Sequence, residues 1–265
     1  MKDDITLRQT FDQVALLYNE VRPRYPDTLF STLIEVTGLS PNAKLLEIGP
    51  GTGQATKPLA IQGYNITGVE LGTALADVAR HELRNYPNVQ ILTGAIENIE
   101  LPTNTFDLVL AATSFHWIKP GFRYLIPHKI LKHQGYLAII HTNHVSDKQG
   151  DLFFKASQPI YDYYDFTDKN QEPKLPDPES ITPLEMDENL FRLTHFQLFP
   201  IVITYNAREF TKLLNTFSNH LAASEQVRND FLFEIENLIN QQFNGSITRH
   251  FSMSLTVALK IEKSR

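Results

Sequence analysis

Residues 44–53 read Lys44-Leu45-Leu46-Glu47-Ile48-Gly49-Pro50-Gly51-Thr52-Gly53. The first five are a short, mostly apolar strand, and three glycines at alternate positions follow at once. Residues 54–62 then read as a helix. Strand, glycine loop and helix together open a doubly wound α/β sheet. In such a sheet ligands bind at the carboxyl ends of the strands, so this loop marks a candidate site. Glycine lets the backbone approach a ligand, and the next helix offers unbonded N–H groups to an anion.

Working outward, the alternation of strand and helix continues. Asn65 to Glu70 reads as a second strand, 74–85 as a helix, Val89 to Leu92 as a third strand and Phe106 to Ala112 as a fourth. A helix over 121–133 and a fifth strand, Tyr136 to Thr142, follow. Upstream, Leu7, Phe11, Val14, Ala15 and Tyr18 fall at helical spacing over 7–20. The prolines of Arg22-Pro23-Arg24-Tyr25-Pro26 break that helix, and a second runs from Asp27 to Thr37. Downstream, 151–166 reads as a helix carrying Phe153, Phe154, Tyr161, Tyr163, Tyr164 and Phe166. Pro173, Pro176, Pro178 and Pro183 mark a loop. Strand 193–206, helices 208–220 and 225–243 (Ser224 as N-cap) and strand 250–261 complete the pattern.

Composition bounds the function. The 265 residues are 42% hydrophobic and 20% charged, the balance of an ordinary globular protein. A net charge of −6 gives no domain-wide basic footprint, so no nucleic-acid partner is expected. The absence of cysteine excludes disulfides, thiolate metal sites and a cysteine nucleophile. The N-terminus has no apolar core of the signal-peptide kind, and no window reaches about 18 apolar residues. No membrane partner and a cytoplasmic location are therefore expected. One feature is unusual: 11 of 12 glycines lie in residues 1–150, while 12 of 17 phenylalanines lie beyond.

Glu70 ends the second strand, 21 residues after Gly49. A carboxylate at that place suits the two hydroxyls of a ribose, which points to an adenosine-containing ligand. A dinucleotide fingerprint needs a third glycine or alanine, where this chain has Gln54 in one frame and Thr56 in the other. What remains is acid-x-glycine-x-glycine-x-glycine, beginning at Glu47.

These segments, with Tyr18 and Arg22-Pro23, Gly94 to Pro102, and Phe106-Asp107-Leu108-Val109 through His116-Trp117, resemble the class I S-adenosylmethionine-dependent methyltransferases. More narrowly, they resemble the small-molecule branch containing the ubiquinone-biosynthesis and trans-aconitate enzymes. The resemblance implies a Rossmann-like sheet of seven mostly parallel strands with a helical lid. In it the strand at 249–261 lies antiparallel between the fifth and the sixth. It implies a single domain over 1–265. Residues 1–38 would close over the cofactor, 44–144 form the cofactor-binding core, 145–192 a lid, and 193–265 the last strands with a helical connection.

Carried over by position, Glu47, Gly49, Gly51 and Gly53 line the methionine moiety of S-adenosylmethionine, with Pro50 and Thr52 of the same loop. Glu70 holds the ribose, and Leu71 lies beside the adenine. Ala95, Ile96 and Glu97 wall the adenine, and Ala112 and Thr113 complete the set after the fourth strand. Tyr18 and Arg22 close over the cofactor, Arg22 near its carboxylate. Ala95 departs from the family, where an acid often receives the adenine amino group.

Methyl transfer needs geometry more than functional groups. A carboxylate acceptor needs no base, whereas a hydroxyl or carbon acid does, and His116 is the candidate. The simpler reading of His116, with Trp117, is pocket wall. Trp117, His144, Tyr161 and Tyr164 are candidates for the pocket of a small-molecule substrate. The aromatic run fits a core face and a lid alike. His128, His133, His141 and His144 lack a carboxylate at ligand spacing, so no metal is expected. No Asn-Pro-Pro-Tyr or Asp-Pro-Pro-Tyr tetrapeptide follows the fourth strand, which argues against methylation of a base amino nitrogen. Two rivals stand beside the methyltransferase: a nicotinamide-dependent oxidoreductase on a similar sheet, and a non-catalytic adenosine-ligand protein.

Overall fold

A computed structural model of the chain describes residues 10–167 and 172–262. Leu7 of the expected first helix lies outside them. A 3-10 turn, Thr10–Val14, leads into α1 (Ala15–Val21), and α2 spans Asp27–Thr37. There follow β1 (Lys44–Ile48), α3 (Thr56–Ile61), β2 (Asn65–Glu70), α4 (Thr73–Glu82), β3 (Val89–Thr93) and β4 (Phe106–Ala112). Then come α5 (Pro120–Arg123), α6 (Leu125–Ile130), β5 (Leu131–Val145), α7 (Leu152–Tyr163) and β6 (Phe191–Asn206). The last elements are α8 (Ala207–Leu214), α9 (Ser218–Leu221), α10 (Glu225–Gln242) and β7 (Ser246–Lys260).

The strands form one sheet in the order β3-β2-β1-β4-β5-β7-β6. β1 pairs in parallel with β2 and β4, β2 with β3, and β4 with β5. The hydrogen bonds of β7 run the other way. Lys260 Nζ donates to the carbonyl of Leu131 at the start of β5, and Asn143 near its end donates to the carbonyl of Ser252. Likewise Thr194 Oγ1 donates to the Val257 carbonyl and Thr204 meets Thr248. β7 is thus antiparallel to both neighbours, in the place the resemblance implied.

The chain divides into two compact units. The first comprises Pro23–Thr142, Thr182–Phe199 and the residues from Met253, and it holds 10 of the 12 glycines. We call it the glycine unit. Its core is aliphatic, with Leu46, Ile48, Val109, Leu137 and Ile139 joined by Phe115 and Phe191. The other, the aromatic unit, comprises the residues to Arg22, Asn143–Ile181 and Pro200–Ser252. Its core gathers Phe153, Phe210, Phe231 and Phe251 with Ile235, Ile239 and Ile247.

Four expectations are corrected. Residues 121–133 are not one helix: a proline ring at 127 clashes with the carbonyl of residue 123 in a continuing helix, so α5 stops at Arg123 and α6 begins afresh. The fifth strand starts at Leu131, earlier than Tyr136, because its pairing with β4 shifts register between Phe106 and Leu108. Residues 208–220 break at Asn215–Phe217, where the Thr216 carbonyl accepts from Arg22 Nη2 at 2.6 Å. The aromatic helix closes at Tyr163, and Asp165 has turned left-handed with φ 60°.

Candidate active site

The glycine loop follows β1. Gly49, Gly51 and Gly53 have φ of 67°, 59° and 88°, the left-handed region that side chains resist. At Gly49 space is closed as well: a Cβ there would stand 2.7 Å from Ser114 Cβ. The Gly49 amide donates to the Val69 carbonyl at 2.9 Å and the Gly53 amide to that of Pro50 at 2.9 Å, so the loop is bound at both ends. Pro50 packs over Gly68 of β2, whose missing side chain leaves it room.

Two carboxylates lie behind this loop. Glu70 is buried, and its two oxygens accept from the amides of Gly51 at 2.8 Å and Gly72 at 2.9 Å. It thereby fixes the loop against the turn after β2. Glu47 is 1% exposed; its Oε2 accepts from Thr56 Oγ1 at 2.6 Å. Its Oε1 is buried with no hydrogen-bond partner among the described residues. Burial pushes the Glu47 carboxyl up to about 7, the Thr56 hydroxyl opposes that, and the charge of Glu70 adds to it. A buried acid of this kind, short of one partner, fits a cationic ligand group.

The remaining walls come from β3 and β4. After β3, Ala95 precedes a 3-10 turn, Ile96–Asn98, in which Ile96 is buried and Glu97 Oε1 accepts from the Lys119 amide at 3.2 Å. Ala112 ends β4, and Thr113 stands at φ 56°, a β-branched residue in left-handed backbone. Its amide donates to the Ile140 carbonyl at 2.7 Å and its hydroxyl meets that of Tyr25 at 3.0 Å. Ser114 Oγ then donates to the carbonyl of Ile48, tying β4 to the foot of the loop. Strain held at the carboxyl edge of the sheet is commonly a mark of function.

His116 is exposed on the turn Phe115–Trp117, its ring 4.7 Å from Trp117 and 5.8 Å from His141. Burial and Arg123 hold His141 below the usual imidazole range, so it is neutral at neutral pH. Sequence reasoning missed Thr56, Gly72, Ser114 and Tyr25. The first two act through hydrogen bonds to expected acids, and nothing in the linear pattern signalled Ser114.

Tyr18, Arg22, His144, Tyr161 and Tyr164 belong to the aromatic unit. Arg22 Nε donates to Thr216 Oγ1 at 2.9 Å, and its guanidinium lies 4.7 Å from the rings of Tyr18 and Phe217. His144 packs 4.8 Å from Phe251; burial, Arg249 and Arg22 lower it to about 4. Tyr161 and Tyr164 pack against Phe231 at 4.9 and 5.8 Å. Among the described residues no helix is long and apolar enough to cross a membrane.

Residues 46–139 match the methyltransferase domain family. Over that stretch the chain is similar to S-adenosylmethionine-dependent methyltransferases. The oxidoreductase alternative falls with that match. An uncharacterized methyltransferase of Mycobacterium tuberculosis is 28% identical over 131 residues, 49% of this chain and 51% of the relative. The chain therefore spans about half the length of the curated relatives it matches. The methyltransferase domain also shares its fold with a cyclase of the 4+2 type at a TM-score of 0.57 and 16% identity, covering 98% of this chain and 97% of that one. A Haemonchus contortus phosphoethanolamine N-methyltransferase in complex with phosphomonomethylethanolamine and S-adenosylhomocysteine superposes with a TM-score of 0.51 at 15% identity, covering 95% of this chain and 58% of that one.

Proposed function

We propose that the chain transfers the methyl group of S-adenosylmethionine to a small organic acceptor, a carboxylate among the acceptor types, by in-line displacement. The observation carrying this reading is Glu47, a buried carboxylate with an unpartnered oxygen behind three left-handed glycines. In this reading Glu47, Gly49, Pro50, Gly51, Thr52 and Gly53 hold the methionine end. Glu70 and Leu71 hold the ribose and its adenine edge. Ala95, Ile96, Glu97, Ala112 and Thr113 complete the cofactor walls.

The cofactor supplies an already activated methyl group on a sulfonium. The protein's task is to bind and orient it and to exclude water. If the acceptor carries a proton on its nucleophile, His116 removes it; a carboxylate acceptor needs no base.

Isothermal titration with S-adenosylmethionine and S-adenosylhomocysteine tests the binding half of the proposal. No binding at sub-millimolar concentration sinks it. Turnover of radiolabelled methyl against a broad acceptor panel tests the rest, and tight binding without turnover points instead to a non-catalytic adenosine-ligand protein.

A further inference from the structure

The aromatic unit contains a buried guanidinium without a hydrogen-bonding partner among the described residues. On β7, Ile247, Arg249 and Phe251 alternate onto one face, and Ile247 and Phe251 belong to the aromatic core. Arg249 takes the middle position of that apolar row and is 8% exposed. No hydrogen bond or ion pair engages its guanidinium among the described residues, and its Nε is fully covered without an acceptor. The guanidinium lies 5.9 Å from the centre of the Phe153 ring.

The register Thr204–Thr248 sets Tyr205 of β6 on the same face, one step diagonal from Arg249. Tyr205 is 7% exposed, and its hydroxyl is likewise buried without a partner among the described residues. Burial raises that hydroxyl to about 12, so it is a donor at any ordinary pH. A buried cation and a buried hydroxyl on one face, both without acceptors, are costly in a folded protein. Such an arrangement persists where a ligand completes it.

The acids nearest in charge terms are already engaged. Asp151 accepts from Ser146 Oγ at 2.7 Å and from the Asp147 amide at 2.8 Å. Asp147 accepts from the amides of Gln149 and Asp151. Both act on Arg249 through space without an ion pair to it. Arg249 itself offers a single positive charge, which a carboxylate matches and a phosphate dianion exceeds.

We propose that the interior of the aromatic unit binds a small organic acid, its carboxylate paired with Arg249 and accepting from the Tyr205 hydroxyl. The body of the acid lies against the rings of Phe153, Tyr161 and Phe231. The binding site stands on its own. A carboxylate held by a guanidinium is a recognition handle for the acid.

The test uses the full chain. Acetate, hexanoate, phenylacetate and cinnamate, their amides, and inorganic phosphate are titrated by calorimetry into the wild type, Arg249→Met and Tyr205→Phe. At least one of the larger acids binds the wild type, and its amide binds about tenfold more weakly or not at all. Arg249→Met loses tenfold or more in affinity for the acid, and Tyr205→Phe loses less. Arg249→Met also raises Tm by about 2–4 °C, because a hydrophobe replaces an unpaired buried charge. No binding by any acid overturns the proposal, as do equal binding of acid and amide, tighter binding of phosphate, or unchanged acid affinity in Arg249→Met. A fall in Tm in that variant with intact acid binding assigns Arg249 to structure and overturns it too. S-adenosylhomocysteine titrated into the same wild-type preparation separates the readings: its failure to bind removes the methyl-transfer assignment and leaves the acid site standing.

Discussion

Glu47 is the residue whose environment most constrains its behaviour. Its carboxyl in the folded chain sits near 7, above its unfolded value of 4.5, so the native state holds the extra proton between those values. Stability therefore falls as pH rises through that window and levels off above it. Glu47→Gln, which keeps an acceptor for Thr56, abolishes the slope. Urea unfolding should show the variant more stable by about 2–3 kcal/mol at about pH 8, with the gain fading toward about pH 5. A cationic cofactor favours the ionised carboxylate, so cofactor affinity in the wild type rises with pH up to about 7 and then flattens. Calorimetry in buffers of different ionisation heats reads the released proton. Glu70→Ala loses cofactor binding and also destabilises the chain, since the amides of Gly51 and Gly72 lose their acceptor. The identities and order of Glu47, the three glycines and Glu70 were legible in the sequence because spacing along strands and loops is local. The burial of Glu47 and the missing partner of its Oε1 depend on what arrives from elsewhere in the chain, and spacing does not carry that.

At the scale of elements, the loop after β1 is shaped by the start of the turn after β4. Gly49→Ala meets both a left-handed φ and Ser114 at 2.7 Å. It should cost about 2–4 kcal/mol in urea unfolding and weaken cofactor binding by displacing the loop. Gly68→Ala tests the same coupling from below, because its Cβ would press on Ile91 and Pro50; the expected readout is weaker cofactor binding. The strands were readable from their apolar runs and alternation, including the place of β7 once the resemblance was drawn. The helices of the second half were less so. Pro127 ended one at a point where hydrophobic spacing alone ran on. The break before α9 answers to the side chain of Arg22, nearly two hundred residues away. Arg249 stood at the very start of the strand expected at 249–261 and went unremarked, because alternation assigns a face without assigning a partner.

For the whole molecule, the asymmetry of glycine and phenylalanine maps onto the two units and not onto two halves of the chain. The glycine unit takes Phe191 and Ala258 into its core from beyond residue 150. A fragment of residues 23–142 contains the whole family match yet lacks those side chains, so it should show no cooperative melt by circular dichroism where the full chain does. Composition showed that two building rules were at work, but contiguous stretches could not reveal that the units exchange segments. The order of the sheet has a further consequence for how the protein is made. β7 is translated after every other strand, yet its place is inside the sheet, between β5 and β6. Until the ribosome has released it, β5 and β6 each keep an edge of unpaired backbone. Such edges recruit other strands. A nascent chain stalled before Ser246 is therefore the form of this protein most in need of a chaperone.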